Sequence, residues 1–493
     1  MAGTAERVLT LCDDALARLP AGDGRDLVTA VREKLVAPLQ VCIAGGVSSG
    51  KSTLVNALLG QQIAAVDAGE CTRVVTWFRW DPHERAEVQL VTGERYHVQL
   101  DRGRLPASLG APPEAVRRVV VNLSNAALTD LTLVDTPGLN TVTEVHEADT
   151  AAFLGVGATK EATDTAVAIG QADALVFLMP HLREADATVL RGFRDLYSGT
   201  GLSAVNAVGV LSRIDRLARD GDPLTVAEPI AQRVNHDLRG LVSRVVPVIG
   251  LLAETARAAL FTEDDFRAVA RLATVEDALD REDMLISAED FLSFDGVDLD
   301  VGMRRRLLGL LDLYGLQVAI AAVDAGARGA GAVLRALEQR SGFAEVADLV
   351  LGRFGRQADL LKTHVAMCDL DRISYMRTDA DAGRVLRSLR TPLEHLALDA
   401  DVHDLHVLEA MQAAATGALA LPDDLLDDLD RLVAGEDPCT RLGTDTAGAP
   451  AEALARATAW GSWGGDPRRS PLEARHARRV KEAYELLWTR VSA

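Results

Sequence analysis

An α/β domain with a doubly wound, mostly parallel sheet, joined to a largely helical second half, is the fold the sequence predicts. Three observations predict it. Between residues 38 and about 250, short apolar runs alternate with helical or polar segments. A Gly-rich loop, Gly45-x4-Gly50-Lys51-Ser52, stands where one of those runs gives way to a helix. Beyond residue 255 strand-like runs disappear and apolar residues recur at spacings of three and four.

Taken in order, residues 4–18 and 24–36 place Val8, Leu11 and Ala15, then Leu27, Val31 and Leu35, at helical spacing. The turn Gly22-Asp23-Gly24 separates them, so a helical pair should precede the first strand. The strand candidates are LQVCIAGG, TRVVTWFRW, AEVQLVTG, LTDLTLVDTPG, ADALVFLMP, LSAVNAVGVLS and SRVVPVIGLL. Several are continuously apolar, as strands covered by helices on both faces must be. Segments 255–280, 301–340, 345–370, 380–416, 421–435 and 470–492 are the helical candidates of the second half.

The 493 residues are enough for two or three units with substantial cores. A formal net charge of −20 argues against broad nucleic-acid binding, which needs a basic surface, and weakens attraction to anionic lipid by charge alone. Cys12, Cys42, Cys71, Cys368 and Cys439 are scattered without a Cys-x-x-Cys pair, which suits reduced thiols inside a cell. The first twenty residues read as an amphipathic helix and not a signal peptide. The best candidate for a membrane span, residues 313–331, contains Asp324 and Arg328, so integral insertion is not expected. Lysine is rare: Lys34, Lys51, Lys160, Lys362 and Lys481 stand among 52 basic residues. A position that keeps lysine therefore invites a specific reason.

Lys51 has one. In VCIAGGVSSGKSTLVNALLG the loop lies directly after an apolar strand and before a helical run. Glycines let backbone amides wrap phosphates, the helix N-terminus adds its dipole, the Lys51 ammonium reaches the β- and γ-phosphates, and Ser52 is placed to ligate Mg2+. The expected nucleotide contacts run through Gly45, Gly46, Val47, Ser48, Ser49, Gly50, Lys51, Ser52 and Thr53. Downstream, LTLVDTPG puts Asp135 at a strand end, where it can hold Mg2+ through water, and lets the Gly138 amide sense the γ-phosphate. Between the two motifs, Thr72 and Thr76 are both available to close over the metal. Thr72 is the expected one, because Thr76 falls within the strand-like VVTWFRW.

The stretch VGVLSRIDRL decides the base. Ser212 can hydrogen-bond toward the phosphate loop, Arg213 offers an aliphatic stem and planar head to stack on a purine, and Asp215 supplies a bidentate acceptor for the N1–H and amine of guanine. The tetrad departs from the Asn/Thr-Lys-x-Asp pattern at two positions, and an exposed salt-bridging turn is the other reading. Gly250 in VVPVIGLLAET would supply the last loop on the base side.

With these motifs in order and helical segments on both sides, the chain resembles the bacterial dynamin-like proteins. The likeness is greatest to the isoniazid-inducible group of actinobacteria, on GKSTLVNALLGQQIAAVDAGECTRVVTWFR, LLDLYGLQVAIAAV, and LEQRSGF with RQADLLKTH. The resemblance implies an α/β P-loop GTPase domain with a helical neck and trunk: neck helices in 1–36, the dynamin-type GTPase domain in 37–300, and further neck and trunk in 301–493. It implies hydrolysis of GTP with Mg2+, stimulated by self-association through the GTPase face or by a paralogue. It also implies peripheral action at the cytoplasmic face of the plasma membrane, in fission, fusion or repair. In eukaryotic dynamins a phosphate-loop glutamine places the attacking water, and the matching residue here is Val47; the glutamine of Ras-like proteins is matched by Leu139. Neither side chain orients water. Beside Lys51, that leaves the Ser48 hydroxyl, the region of Thr72, and a partner subunit.

Two other readings stay open at this level: a GTP-dependent switch or scaffold that recruits a paralogue or septal partner without deforming lipid, and an ATPase of related fold. Weaker signals are the acidic run DDLLDDLDRL, which suits a solvated helix face, and His395, His403 and His406 among Asp399, Asp401 and Asp404, which suit a helix edge better than a metal site. The final basic helix, 467–491, suits either acidic neighbours or anionic lipid. Phe291, Leu292, Phe294, Tyr375 and Met376 are candidates for an apolar tip, with burial as the default expectation.

Overall fold

The computed structural model describes residues 3–64, 73–101, 103–106, 108–138, 160–196, 206–217, 221–275, 277–397, 403–415, 417–434 and 437–492. Two helices open the chain, α1 (Thr4–Arg18) and α2 (Asp23–Val36), close to the bounds their apolar spacing predicts. The α/β layer follows as β1 (Leu39–Gly45), α3 (Lys51–Leu59), β2 (Thr76–Trp80), β3 (Arg85–Leu90), β4 (Arg95–Val98), β5 (Val116–Leu123), β6 (Leu131–Asp135), α4 (Lys160–Gln171), β7 (Ala174–Met179), α5 (Glu184–Leu196), β8 (Ala207–Ser212), α6 (Pro223–Asp237), β9 (Arg244–Val248) and α7 (Gly250–Arg257).

Among the described residues these strands form one nine-stranded sheet in the order β4-β3-β5-β2-β6-β1-β7-β8-β9. β6, β1, β7, β8 and β9 are parallel throughout, and β7 and β8 are buried along their whole length. β2 joins antiparallel to β6, with Thr76 opposite Asp135, and β5, β3 and β4 extend that edge in mixed directions. β4 and β5 are absent from the strands expected from sequence. In β5 the run is interrupted by Arg117 and Arg118, and the Arg118 guanidinium lies over the ring of Trp77, as does that of Arg79. An aromatic face thus takes up charges that look incompatible with a buried strand.

Alternate residues of β1 enter different cores, as a pleated strand covered on both faces requires. Val41 and Ile43 pack with Leu54 and Leu58 of α3, whereas Cys42 and Ala44 pack with Ile169 of α4 and with Leu190 and Phe193 of α5. Full burial of such side chains contributes about 1.5–3 kcal/mol each.

The helical part comprises α8 (Glu263–Leu272), α9 (Ala278–Met284), α10 (Ala288–Ser293), α11 (Val301–Asp324), α12 (Ala330–Gln339), α13 (Phe343–Ala347), α14 (Gly355–Ser374), α15 (Ala380–Arg387), α16 (Arg390–Ala397), α17 (His403–Ala415), α18 (Asp423–Ala434), α19 (Pro438–Leu442), α20 (Ala449–Gly464) and α21 (Pro471–Ser492), with a π-helical stretch between α13 and α14. α20 was not expected; its Ala-, Gly- and Trp-rich run has a weak apolar period, yet Ala449, Ala453, Ala457 and Trp460 line a buried stripe. α11 and α12 pack on the α/β layer, where Leu307, Leu311, Leu316 and Val333 share a core with Leu252 and Val269. α1 and α2 instead form a separate core with the end of α14, α15 and α16, built on Val8, Val28, Leu370, Leu386 and Leu393.

α11 is the one described helix long and apolar enough by composition to cross a membrane, with a mean hydropathy of 1.6 over its best window. It is not continuous. At Asp312 the backbone turns to φ 51°, ψ −172°, a conformation that costs a non-glycine residue on the order of 1–3 kcal/mol. The Leu310 carbonyl released by the break is taken by the buried Thr255 hydroxyl at 2.6 Å, and beyond it Tyr314 donates to Asp222 at 3.1 Å. Of the apolar-tip candidates, Phe291 is fully buried, while Tyr375 is 62% exposed with the Arg390 guanidinium over its ring.

Candidate nucleotide site

β1 is the switch point of the parallel sheet, with β6 on one side and β7 on the other, and ligands of such sheets sit beyond the carboxyl ends of the strands at that point. The phosphate loop emerges there. Gly45 has φ 149°, and a Cβ on it would meet the Leu178 carbonyl oxygen at 2.3 Å, so only glycine lets the loop leave β1 beside β7. The loop closes onto α3, whose N-terminus is at Lys51. Lys51 is 7% exposed, and its Nζ donates to the carbonyls of Gly46 at 2.9 Å and Gly45 at 3.3 Å. Burial lowers its pKa while nearby Asp135 works against that shift.

Ser52, one residue into α3, donates to Oδ2 of Asp135 at 2.7 Å. Oδ1 of the same carboxylate is buried without a partner among the described residues. Burial pushes the Asp135 carboxyl up to about 6, against the opposing influence of Lys51 and Ser52. A hydroxyl and a carboxylate with an unused buried oxygen are hard donors of the kind Mg2+ takes. The turn after Asp135 is fixed from both sides: Thr136 Oγ1 donates to the Ile43 carbonyl at 2.9 Å and Thr165 Oγ1 to that of Pro137 at 3.3 Å. Gly138 packs so closely on the phosphate loop that a Cβ there would fall 2.7 Å from Val47 Cα. Val47 itself is 54% exposed, and Ser48 holds φ 56° beside it. Thr72 and Leu139 lie outside the described residues.

Adjoining the loop is a cavity of about 180 Å³ walled by Ser49, Gly50, Thr53, Leu178, Ser212, Arg213, Asp215, Gly250 and Leu251, among others. The expected base loop and the expected phosphate loop therefore share one space. Arg213 adopts φ 56°, which turns the chain from β8 into the short helical turn holding Asp215. Burial raises the Asp215 pKa; Asp312 adds to that effect, while Asp215's own backbone N–H, Arg216 and Arg213 oppose it. Two hydroxyls on the wall, Ser49 and Ser212, are 0% and 5% exposed and lack a hydrogen-bond partner among the described residues. Buried hydroxyls of this kind ordinarily have partners, and here their residues line a cavity.

Two charged side chains reach this region without a signal in the sequence. Arg183, after β7, places Nη2 2.6 Å from where a Cβ on Gly46 would be. Asp186, 2% exposed, holds that guanidinium through Nε at 3.1 Å and Nη2 at 2.8 Å. Asp312, at the break in α11, is part of the cavity wall. Both arrive by tertiary packing, which local spacing does not encode.

A phosphate loop on a doubly wound sheet, a Ser52–Asp135 pair at its edge and a carboxylate in the adjoining cavity define a P-loop nucleotide-binding protein of the GTPase type. Residues 41–201 match the family described as the Dynamin family. The chain is 31% identical over 471 residues to isoniazid-induced protein IniC of Mycobacterium tuberculosis, in strains CDC 1551 / Oshkosh and H37Rv, an alignment that covers 93% of this chain and 92% of IniC. The chain belongs to the dynamin family, with the isoniazid-induced dynamin-like proteins among its relatives. Two solved structures described as an oligomerised bacterial dynamin pair match at 12% and 11% identity, over 99% of this chain and 73% and 90% of theirs, with TM-scores of 0.31 and 0.34. Overlays this loose add nothing about how the helical parts are arranged here.

Proposed function

We propose that the protein binds and hydrolyses GTP with Mg2+, and that self-association through the face containing Val47 accelerates the reaction during peripheral action on a membrane. The observation that best supports this is that the phosphate loop, which carries Lys51 and leads into the Ser52–Asp135 pair, shares through Ser49, Gly50 and Thr53 one cavity with Asp215. In this reading backbone amides from Gly46 to Gly50 and the Lys51 ammonium hold the phosphates. Ser52 and Asp135 hold the metal, which when bound neutralises charge on the β- and γ-phosphate oxygens. Asp215 accepts from the guanine edge, Arg213 stacks on the ring, Ser212 orients the loop and Gly250 brings a backbone amide to the base.

Hydrolysis needs a group that places water and one that meets developing negative charge. Val47 offers neither, which supports a contribution from a partner subunit. Arg183 is already oriented beside the loop by Asp186 and is suited to the second task. The N-terminal helices, packed with α14, α15 and α16, would serve as the neck, and the remaining helices as the trunk.

GTP turnover measured against protein concentration, with and without anionic liposomes, tests the proposal. Specific activity should rise with concentration and rise further on lipid. Activity that is independent of both, with no lipid binding by protein alone or with a paralogue, would favour a GTP-dependent switch.

A further inference from the structure

We propose that Asp312 is a second base-reading residue, accepting a hydrogen bond from the exocyclic 2-amino group of a guanine nucleotide. The inference rests on the reading of Asp215 above and extends it. The Watson–Crick edge of guanine presents three N–H donors: one on N1 and two on the 2-amino nitrogen. A single bidentate carboxylate accepts N1–H and one amino hydrogen, which leaves the other amino hydrogen needing an acceptor. Asp312 stands on the wall of the cavity that holds Asp215.

Three independent features favour a role beyond packing. The break in α11 that presents Asp312 is held open by the Thr255 hydroxyl on the Leu310 carbonyl, so the position is built into the fold and is not a frayed end. The same cavity is walled by Ser49 and Ser212, whose buried hydroxyls have no hydrogen-bond partner among the described residues, which points to a polar ligand at that space. Asp312 also adds to the effect of burial in raising the Asp215 pKa, as a second carboxylate on the same cavity wall does, against the opposing influence of Asp215's own backbone N–H, Arg216 and Arg213. Guanine, with donors on both sides of its 2-amino group, would relieve that repulsion. Adenine lacks this group, and its 6-amino group cannot serve both acceptors.

The test is competition binding of the full chain with Mg2+, using GTP, ITP, XTP and ATP against a fluorescent GTP. ITP is GTP without the 2-amino group. Because φ is positive at this position, Asp312→Gly removes the carboxylate without straining the backbone, and Asp312→Asn keeps an acceptor oxygen. Asp312→Gly should weaken GTP by roughly tenfold and leave ITP unchanged, so that the GTP/ITP preference falls by the same factor. Asp312→Asn should keep part of that preference and the hydrogen bond that Oδ1 accepts from the Leu313 N–H at 2.8 Å, so its melting temperature without nucleotide should not fall. An unchanged GTP/ITP preference in Asp312→Gly, or an equal change for all four nucleotides, would overturn the assignment of Asp312 while leaving that of Asp215 standing. If the wild type binds ATP as tightly as GTP, the guanine reading itself fails, and this inference fails with it.

Discussion

The Ser52 hydroxyl donates to Oδ2 of Asp135 at 2.7 Å, while Oδ1 of that carboxylate is buried without a partner among the described residues. A hydroxyl beside a buried carboxylate with an unused oxygen suits a cation. Ser52→Ala should raise the Mg2+ concentration needed for half-maximal turnover by about tenfold or more. Asp135→Asn should abolish turnover yet stabilise the nucleotide-free chain by about 1–3 kcal/mol, because it removes a buried charge. Turnover titrated with Mg2+ checks the effects on hydrolysis, and melting curves without nucleotide check the effect on stability. A destabilised nucleotide-free Asp135→Asn protein would contradict this account.

Arg183 lies beside Gly46 with its fork held by Asp186. If its charge acts in the transition state, Arg183→Ala should lower kcat by about 100-fold or more with little change in KM. Asp186→Asn should give a smaller fall of the same kind, since it loosens the fork without removing it. A rise in KM with kcat preserved would assign Arg183 to binding alone.

The scarcity of lysine has a second structural counterpart at Lys362. Its buried ammonium donates to the carbonyls of Leu35 at 3.1 Å and Ala37 at 2.8 Å, where α2 ends and the chain turns into β1. Lys362→Met should leave those C-terminal carbonyls unpaired and lower stability by about 1–3 kcal/mol. GTP affinity should be retained, as the contact is remote from the nucleotide cavity. Calorimetry with parallel nucleotide binding separates the two outcomes.

Burial, aided by the positive charge of Arg479, holds the His406 ring down to about 4. His476 is lowered by burial as well. A base whose folded pKa lies below its unfolded value binds fewer protons when folded, so its contribution favours the folded state above about 6.5 and is lost as pH falls toward 4. The melting temperature should drop between pH 7 and pH 5. His406→Gln should flatten that slope; an unaltered slope would place the pH sensitivity elsewhere.

What was legible in the sequence follows from what local pattern can encode. β1, β7 and β8 are apolar because both faces of the sheet are covered, and the phosphate loop stands out because its glycines are demanded by backbone clashes such as that of Gly45 with Leu178. β5 was missed because Trp77, forty residues earlier, supplies the surface that makes Arg118 acceptable. Arg183 and Asp312 were missed for a related reason. Each is an ordinary charge on or next to a helix until the tertiary fold brings it to the site. The break at Asp312 falls on neither of the nearby glycines, Gly309 and Gly315, and is supported by Thr255, more than fifty residues away.

The central claim is that Asp215 reads guanine, and exchanging its hydrogen-bonding pattern tests this most directly. Asparagine in place of Asp215 presents an amide N–H where the carboxylate had an acceptor, which suits the 2-oxo group of xanthine in place of the 2-amino group of guanine. Competition binding of GTP, XTP and ATP to wild type and Asp215→Asn is the measurement. The account predicts that wild type prefers GTP and that the variant shifts its preference to XTP by roughly a hundredfold or more relative to GTP. An unchanged order of preference in a folded variant would remove Asp215 from the site and contradict the account.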